Sequence, residues 1–284
     1  ISYDLSPSVT VEKFRVFAVV SKGFQNPTLI QLFDPNGTFG SPITRGNTDL
    51  TPEQSLGFQL GWDQQLTEKL KFSSLIFATE VRDVIEYVYL WDRQSAIGDL
   101  SFLDYKGDTY LNLSQLKTCG FETSLSYTGQ EVSGKIAYQY LTGNFSFDPA
   151  DIDNDLKTDY YVQSFNNGSF IESDLSTDGL VRRPSSQLQM DLSFRPISKL
   201  MIAANYRRID VRNDVFYNVM EGPFGALNTL ALDAYHVLNI NFGYSLSKFY
   251  AGFQVENITN ENYQEILGFR SRGRGIGLKL NYNF

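Results

Sequence analysis

The chain has 284 residues, 42% hydrophobic and 14% aromatic, with 24 Lys and Arg against 32 Asp and Glu for a formal net charge of −8. That acidic balance argues against nucleic-acid binding, which draws its affinity from a basic face. No apolar run reaches the ~18 residues that mark a spanning helix, and the single cysteine, Cys119, allows no internal disulfide.

In chain order, one segment after another alternates apolar with polar residues, the period of two of a strand whose faces meet different surroundings. Ile1-Ser2-Tyr3-Asp4-Leu5 reads as the tail of a strand already under way, so an amino-terminal part is expected to precede it. Phe14, Val16, Ala18 and Val20 then alternate with Lys13, Arg15, Phe17 and Val19. Leu56, Phe58, Leu60 and Trp62 alternate with Gly57, Gln59, Gly61 and Asp63. Between 70 and 81 the pattern is two-sided, and Leu75, Phe77, Thr79 and Val81 are taken as the apolar face. Phe121, Thr123, Leu125 and Tyr127 come next, followed by Ile136, Tyr138 and Tyr140. Leu188, Met190, Leu192 and Phe194 oppose Gln187, Gln189, Asp191 and Ser193, and Leu200, Ile202, Ala204 and Tyr206 follow. Leu238, Ile240, Phe242 and Tyr244 oppose Asn239, Asn241, Gly243 and Ser245, and Phe249, Ala251, Phe253 and Val255 precede the last segment. There Ile276, Leu278, Leu280, Tyr282 and Phe284 line one face while Gly277, Lys279, Asn281 and Asn283 line the other.

A soluble sheet can do this once or twice; about ten repeats point to a wall between lipid and water. The fold class expected is all-β, an antiparallel transmembrane β-barrel in a Gram-negative outer membrane. In the chosen register Lys135, Glu122, Asp191, Gln254 and Lys279 face the lumen. Slipping a strand by one residue would turn such groups into hydrocarbon, at roughly 2–4 kcal/mol for a Lys or Arg at mid-membrane. Connections alternate in length: short at 6–12, 63–69, 129–133, 195–199 and 247–248, long at 21–52, 83–117, 143–186, 208–233 and 257–272. Short turns belong inside and long loops outside. The 17 Tyr and 22 Phe suit aromatic girdles. The rival fold, a soluble antiparallel sandwich, would not sort its connections so cleanly.

Several segments resemble the carboxy-terminal half of a TonB-dependent outer-membrane receptor. They are Ser21-Lys22-Gly23-Phe24-Gln25-Asn26-Pro27-Thr28-Leu29; Asn47-Thr48-Asp49-Leu50-Thr51-Pro52-Glu53, with Thr48 and Thr51 where Pro and Lys are usual; Tyr110-Leu111-Asn112 with Gly120-Phe121-Glu122; Val255-Glu256-Asn257-Ile258-Thr259-Asn260 with Tyr263; and Gly273-Arg274 with the terminal Leu280-Asn281-Tyr282-Asn283-Phe284. The resemblance is closest to the vitamin B12 and siderophore receptor branch. It implies a barrel of about 22 strands, of which this chain supplies the last ten or so. It also implies an amino-terminal plug with a TonB-contacting segment outside this chain, and import of a nutrient too large for porins. Cobalamin is placed slightly ahead of a ferric siderophore of catecholate type; a plain diffusion porin is the further alternative. No cofactor is required, and the partners implied are membrane lipid, the TonB complex through the plug, and a surface lipoprotein as one further partner for the loops.

Ligand-binding candidates are the loop aromatics Phe39, Tyr87, Tyr89, Trp91, Tyr105, Tyr160, Tyr161, Phe216, Tyr217 and Phe224, whose rings offer area with a polar handle. The alternative is that these rings belong to the girdle or pack loops together. Arg270, Arg272 and Arg274 fall at alternate positions, fit to hold an anionic ligand or to pair with acidic groups of the plug. Asp151, Asp153, Asp155 and Asp159 have the spacing of a calcium loop, although Leu156 stands where such a loop wants Gly. Catalysis is not expected: the only histidine, His236, shares its face with Leu238 and Ile240, a poor place for a general base or a heme ligand. If residues 151–159 hold structural calcium, limited proteolysis there runs slower in calcium than in chelator; equal rates contradict it.

Overall fold

The computed structural model describes every residue except 36–44, 148–151, 153–155, 157–158, 167, 173–174, 179, 221–224 and 283–284, and only the backbone at 175–178. Phe39, Phe224, Asp151, Asp153, Asp155 and the terminal Asn283-Phe284 therefore lie outside the described residues. Strands β1 (Tyr3–Leu5) and β2 (Ser8–Val11) both pair with β3 (Phe14–Gln25). The wall continues through β4 (Glu53–Gln65), β5 (Leu70–Asp92), β6 (Tyr105–Thr128) and β7 (Val132–Phe147). Two short strands, β8 (Tyr160–Ser164) and β9 (Leu175–Asp178), branch from β5 and β7 before the wall resumes at β10 (Ser186–Ile197) and β11 (Leu200–Ile209). A separate hairpin, β12 (Arg212–Asn218) with β13 (Ala226–Leu232), leads to β14 (Tyr235–Leu246) and β15 (Phe249–Glu256). A second, β16 (Gln264–Ile266) with β17 (Phe269–Arg270), precedes the last wall strand, β18 (Gly275–Tyr282).

All ten expected strands are present, each antiparallel to the next in chain order. Among the described residues the end strands β1 and β18 do not pair with each other, so the sheet is an arc with two free edges. The first turn is shorter than the expected 6–12. Ser8-Val9-Thr10-Val11 keeps the alternation and pairs with β3, leaving a turn at Glu12 (φ 50°) and Lys13. Pro7 has no N–H to donate, which separates β1 from β2, but its carbonyl still accepts from the Ala18 N–H at 3.0 Å.

Directly paired residues point to one side, so the pairing fixes the faces. One outer row runs Ala18, Leu60, Ile76, Phe121, Tyr140. Another runs Phe194, Ile202, Phe242, Phe253, Leu278. Much of this face is exposed rather than packed: Ile76 keeps 48% and Leu278 72% of its surface. The opposite face is polar. Asp63 accepts from Ser73 Oγ at 2.6 Å and meets Lys71 at 3.2 Å and Arg15 at 3.9 Å. Asn205 Nδ2 donates to Asp191 at 2.6 Å, and Asp191 stands opposite Lys135.

One strand differs from the expectation. In β5 the outer residues are Phe72, Ser74, Ile76 and Ala78, while Leu75, Phe77 and Thr79 face the lumen. The misleading signal was the apolar Phe77. It lies opposite Gly120, where an added Cβ would come 2.9 Å from the Phe77 ring. Phe17 covers Gly61 in the same way on the same face. A ring laid over a glycine hides much of its apolar surface on the water side. Lysine scanning separates the two registers: Ile76→Lys should cost about 2–4 kcal/mol in lipid-vesicle unfolding and Leu75→Lys under about 1 kcal/mol. The reverse order would put Leu75 in lipid.

Candidate functional site

Strands β5 and β6 run for 23 and 24 residues, about twice the ~9–11 that cross a membrane. The expected long connection 83–117 is therefore mostly strand, and only residues 93–104 join β5 to β6. The reason is local: between residues 87 and 91 both faces of β5 are apolar, Tyr87, Tyr89 and Trp91 on one and Val88 and Leu90 on the other, which suits a strand covered on both sides. A bulge between Val81 and Val84, with Asp83 at φ 57°, marks where the wall strand becomes the extracellular one. β8 adds to the free side of β5 there, giving a small sheet β6-β5-β8.

The aliphatic face of that sheet is a true core. Val88, Leu90, Leu111, Leu113, Phe147, Ile152, Val162 and Ile171 are buried together, with Tyr160 packed against them. The aromatic face carries Tyr87, Tyr89 and Trp91 of β5 and Tyr110 and Asp108 of β6. Tyr87 meets Tyr110 at 5.3 Å, Phe165 at 5.5 Å and Tyr89 at 5.7 Å between ring centroids, and Tyr89 meets Phe165 at 5.8 Å and Tyr105 at 6.0 Å. Arg45, from the β3–β4 connection, lies 5.8 Å from the Tyr87 ring centroid and pairs with buried Asp108 at 2.7 Å and Asp34 at 3.3 Å. Tyr105 donates its hydroxyl to Asp108 at 2.6 Å. The hydrogen bond to Asp108 holds the Arg45 pKa above its ordinary value, and burial pushes Tyr89 up to about 12. The result is a packed set of rings beside a guanidinium that is itself paired with two carboxylates, an arrangement suited to flat, polarisable or aromatic ligand surface.

Family-like segments hold this region in place. Asn112 accepts from the Thr51 N–H at 2.8 Å and donates to the carbonyls of Thr51 (3.0 Å) and Asp83 (2.6 Å). Asn47 Nδ2 donates to the Tyr110 carbonyl at 2.8 Å. At the far end of the arc Asn257 (φ 49°) accepts from the Glu261 N–H and donates to its carbonyl, both at 2.8 Å.

The sequence candidates separate into groups. Tyr87, Tyr89 and Tyr105 come together on the aromatic face. Trp91 has no exposed surface and donates Nε1–H to Gln163 at 3.0 Å, so it packs the sheet from within. Tyr160 belongs to the aliphatic core, and Tyr161 packs under Arg93 (4.5 Å) and against Phe170. Phe216 and Tyr217 stand on the β12–β13 hairpin, which reaches the aromatic face through the Leu227 N–H to the Phe165 carbonyl at 3.0 Å. The three arginines do not form one array, because β18 begins only at Gly275. Arg270 ends β17 opposite Gln264, Arg274 donates its backbone N–H to Asn260 at 2.9 Å, and Arg272 lines a lumen recess of about 480 Å3 with Arg207, Asn239 and Tyr263. His236 sits exposed on the outer face, opposite Arg208. Among the described residues no cluster of three His, Cys, Asp or Glu could hold a metal.

The family described as TonB dependent receptor-like, beta-barrel matches residues 1–260. The chain belongs to it. This receptor family is not one of enzymes, and it places the arc in the Gram-negative outer membrane. No curated protein matches the sequence. Solved structures similar to it include the siderophore receptor PirA from Acinetobacter baumannii (15% identity, TM-score 0.68, 100% of this chain and 41% of that one). Others are the FrpB iron transporter from Neisseria meningitidis (11%, 0.65, 99% and 39%) and the ferripyoverdine receptor of the Pseudomonas aeruginosa outer membrane (14%, 0.64, 100% and 33%). The chain thus spans about two-fifths or less of these receptors.

Arg45, Asp108, Tyr110 and Phe165 were not candidates from sequence. Tyr110 and Asp108 were detectable, since they alternate with Leu111 and Thr109 in register with Tyr87 and Tyr89. Arg45 and Phe165 arrive from separate loops and leave no periodic signal. Truncation distinguishes packing from surface: Trp91→Ala should cost about 3–5 kcal/mol in unfolding and Tyr217→Ala, half exposed, under about 1 kcal/mol. Similar losses would return Trp91 to the contact surface.

Proposed function

We propose that the receptor imports a scarce, bulky nutrient by TonB-coupled transport, capturing it outside on the aromatic face of the β6-β5-β8 sheet. The observation that carries this reading is that face itself: five rings and one guanidinium gathered above the wall, on a sheet made rigid by its own core. A porin needs no such platform, because its loops only shape a water-filled opening. The chemistry is binding and release, with no bond made in the ligand. Energy enters through a plug and its TonB-contacting segment, both belonging to the rest of the receptor.

For the ligand we put a ferric chelate first. Tyrosine rings and a guanidinium offer a flat, polarisable surface to catecholate or similar chelating groups. Several similar solved structures support that order, those of an iron transporter, a siderophore receptor and a ferripyoverdine receptor, although another is a copper transporter. Cobalamin stands second, supported by the likeness of the loop-and-strand entries to the branch that holds the vitamin B12 and siderophore receptors. Growth and radiolabelled uptake with and without the gene test both. Loss of the gene should abolish uptake of a ferric catecholate under iron limitation and spare cobalamin-limited growth. The opposite pattern exchanges the ligands, and no defect in either discards both. In a planar bilayer the full receptor should show no steady conductance; an open channel would favour the porin.

A further inference from the structure

We propose that Glu86 and Asn166 form a proton-operated latch that positions Phe165, and with it the β12–β13 hairpin, against the aromatic face. The functional meaning of the latch rests on that face being the capture site; its existence does not.

Residues 164–166 are where three parts of the extracellular region meet. Ser164, the last residue of β8, pairs with Val88. Phe165 donates its N–H to the Tyr87 carbonyl at 3.1 Å and lays its ring against Tyr87 and Tyr89. Its carbonyl accepts from the Leu227 N–H of β13. Asn166 then reaches across with Nδ2 to Glu86 Oε2. The Asn166–Glu86 contact is thus the side-chain tie next to the residue that closes the ring cluster and holds the hairpin, beside the backbone bonds that Phe165 makes itself.

The other end of that contact is unusual. Glu86 is 3% exposed, on the same face of β5 as Val88 and Leu90. Its second oxygen accepts from Ser114 Oγ of β6 at 3.2 Å. Among the described residues β4 contributes the one charged group that acts on it, Glu53, which accepts from the Ile85 N–H at 2.9 Å and repels a negative Glu86. β8 contributes Ser164, whose buried hydroxyl has no hydrogen-bond partner among the described residues. None of these groups is a cation that could compensate the carboxylate. Burial pushes the Glu86 pKa up to about 7, against the hydrogen bonds from Asn166 and Ser114, which favour the ionised form, and with a smaller upward push from Glu53.

The consequence has a definite sign. The closed arrangement holds the proton more tightly than an opened, solvated one whose glutamate titrates near about 4.3. Closure is thus fully favoured below that value and loses the advantage as pH rises to about 7. Above neutrality a buried negative charge faces Glu53 without a compensating cation, and release of Phe165 and Asn166 lets water reach it. Phe165 then leaves Tyr87 and Tyr89, and Leu227 loses its acceptor.

Hydrogen–deuterium exchange on the full receptor in detergent, corrected for intrinsic rates, reads the latch without any ligand. Between about pH 5 and about pH 8 the amides of Phe165, Ile171 and Leu227 should lose protection by roughly tenfold or more, because each pH unit separating the open and closed titrations changes their ratio tenfold. Glu86→Gln, which keeps the acceptor and donor but cannot ionise, should hold protection constant across that range. Asn166→Asp, which sets a second carboxylate against the first, should open the segment near neutrality. Protection that is flat in the wild-type protein, or equally pH-dependent in Glu86→Gln, overturns the latch. Should Glu86→Gln fail to assemble, wild-type protection in Asn166→Asp overturns it independently. A ligand that proves to land elsewhere leaves these exchange results untouched, so failure of the capture site and failure of the latch are separate outcomes.

Discussion

A strand that enters hydrocarbon has nowhere to send its N–H and C=O groups except to the strand beside it. Everything else in this molecule follows from meeting that demand ten times in a row. Each wall strand pairs antiparallel with its chain neighbour, and because paired residues share a side, one strand's register dictates the next. The polar rows around Asp63 and Asp191 are the lumen side of that propagation, and the row through Phe242, Phe253 and Leu278 is its lipid side. A sheet built this way has no core of its own. Its apolar side chains are exposed because the membrane is their partner.

The conventional core lies elsewhere, outside the wall. Once β5 and β6 rise past the bulge at residues 81–84, lipid no longer covers one face, and the sequence responds by making both faces apolar. Phe147 at the end of β7 and loop residues such as Ile152 and Ile171 then take the role that lipid plays lower down. The other face is left to rings and a guanidinium, which can meet a ligand as well as each other. An aliphatic layer thus lies directly behind the aromatic face.

Wall strands were legible in the sequence because lipid and water impose opposite demands every second residue, as in Leu238-Asn239-Ile240-Asn241-Phe242. The β5 register was not, because Phe77 hides its ring over Gly120, a pairing between distant residues that periodicity within one strand cannot report. The strand character of 84–92 was missed for the opposite reason: apolar residues on both faces erase the alternation. Tyr87, Tyr89 and Tyr105 were reachable as loop aromatics, whereas the separation of Trp91 and Tyr160 into packing positions depends on which face of the upper sheet each takes. The Asn112 and Asn257 clasps lay inside recognisable segments, but only their partners show that they fasten loops to the wall.

Neighbouring residues along each wall strand face different solvents, and the rest of the molecule depends on that alternation. Spin labels at single cysteines along β18 of the full receptor, with Cys119 removed, test it most directly. Labels replacing Leu278 and Leu280 should collide preferentially with lipid-dissolved oxygen, and those replacing Gly277 and Lys279 with a water-soluble nickel reagent. Uniform accessibility along the strand, or protection of Leu278 and Leu280 from both reagents, would contradict it.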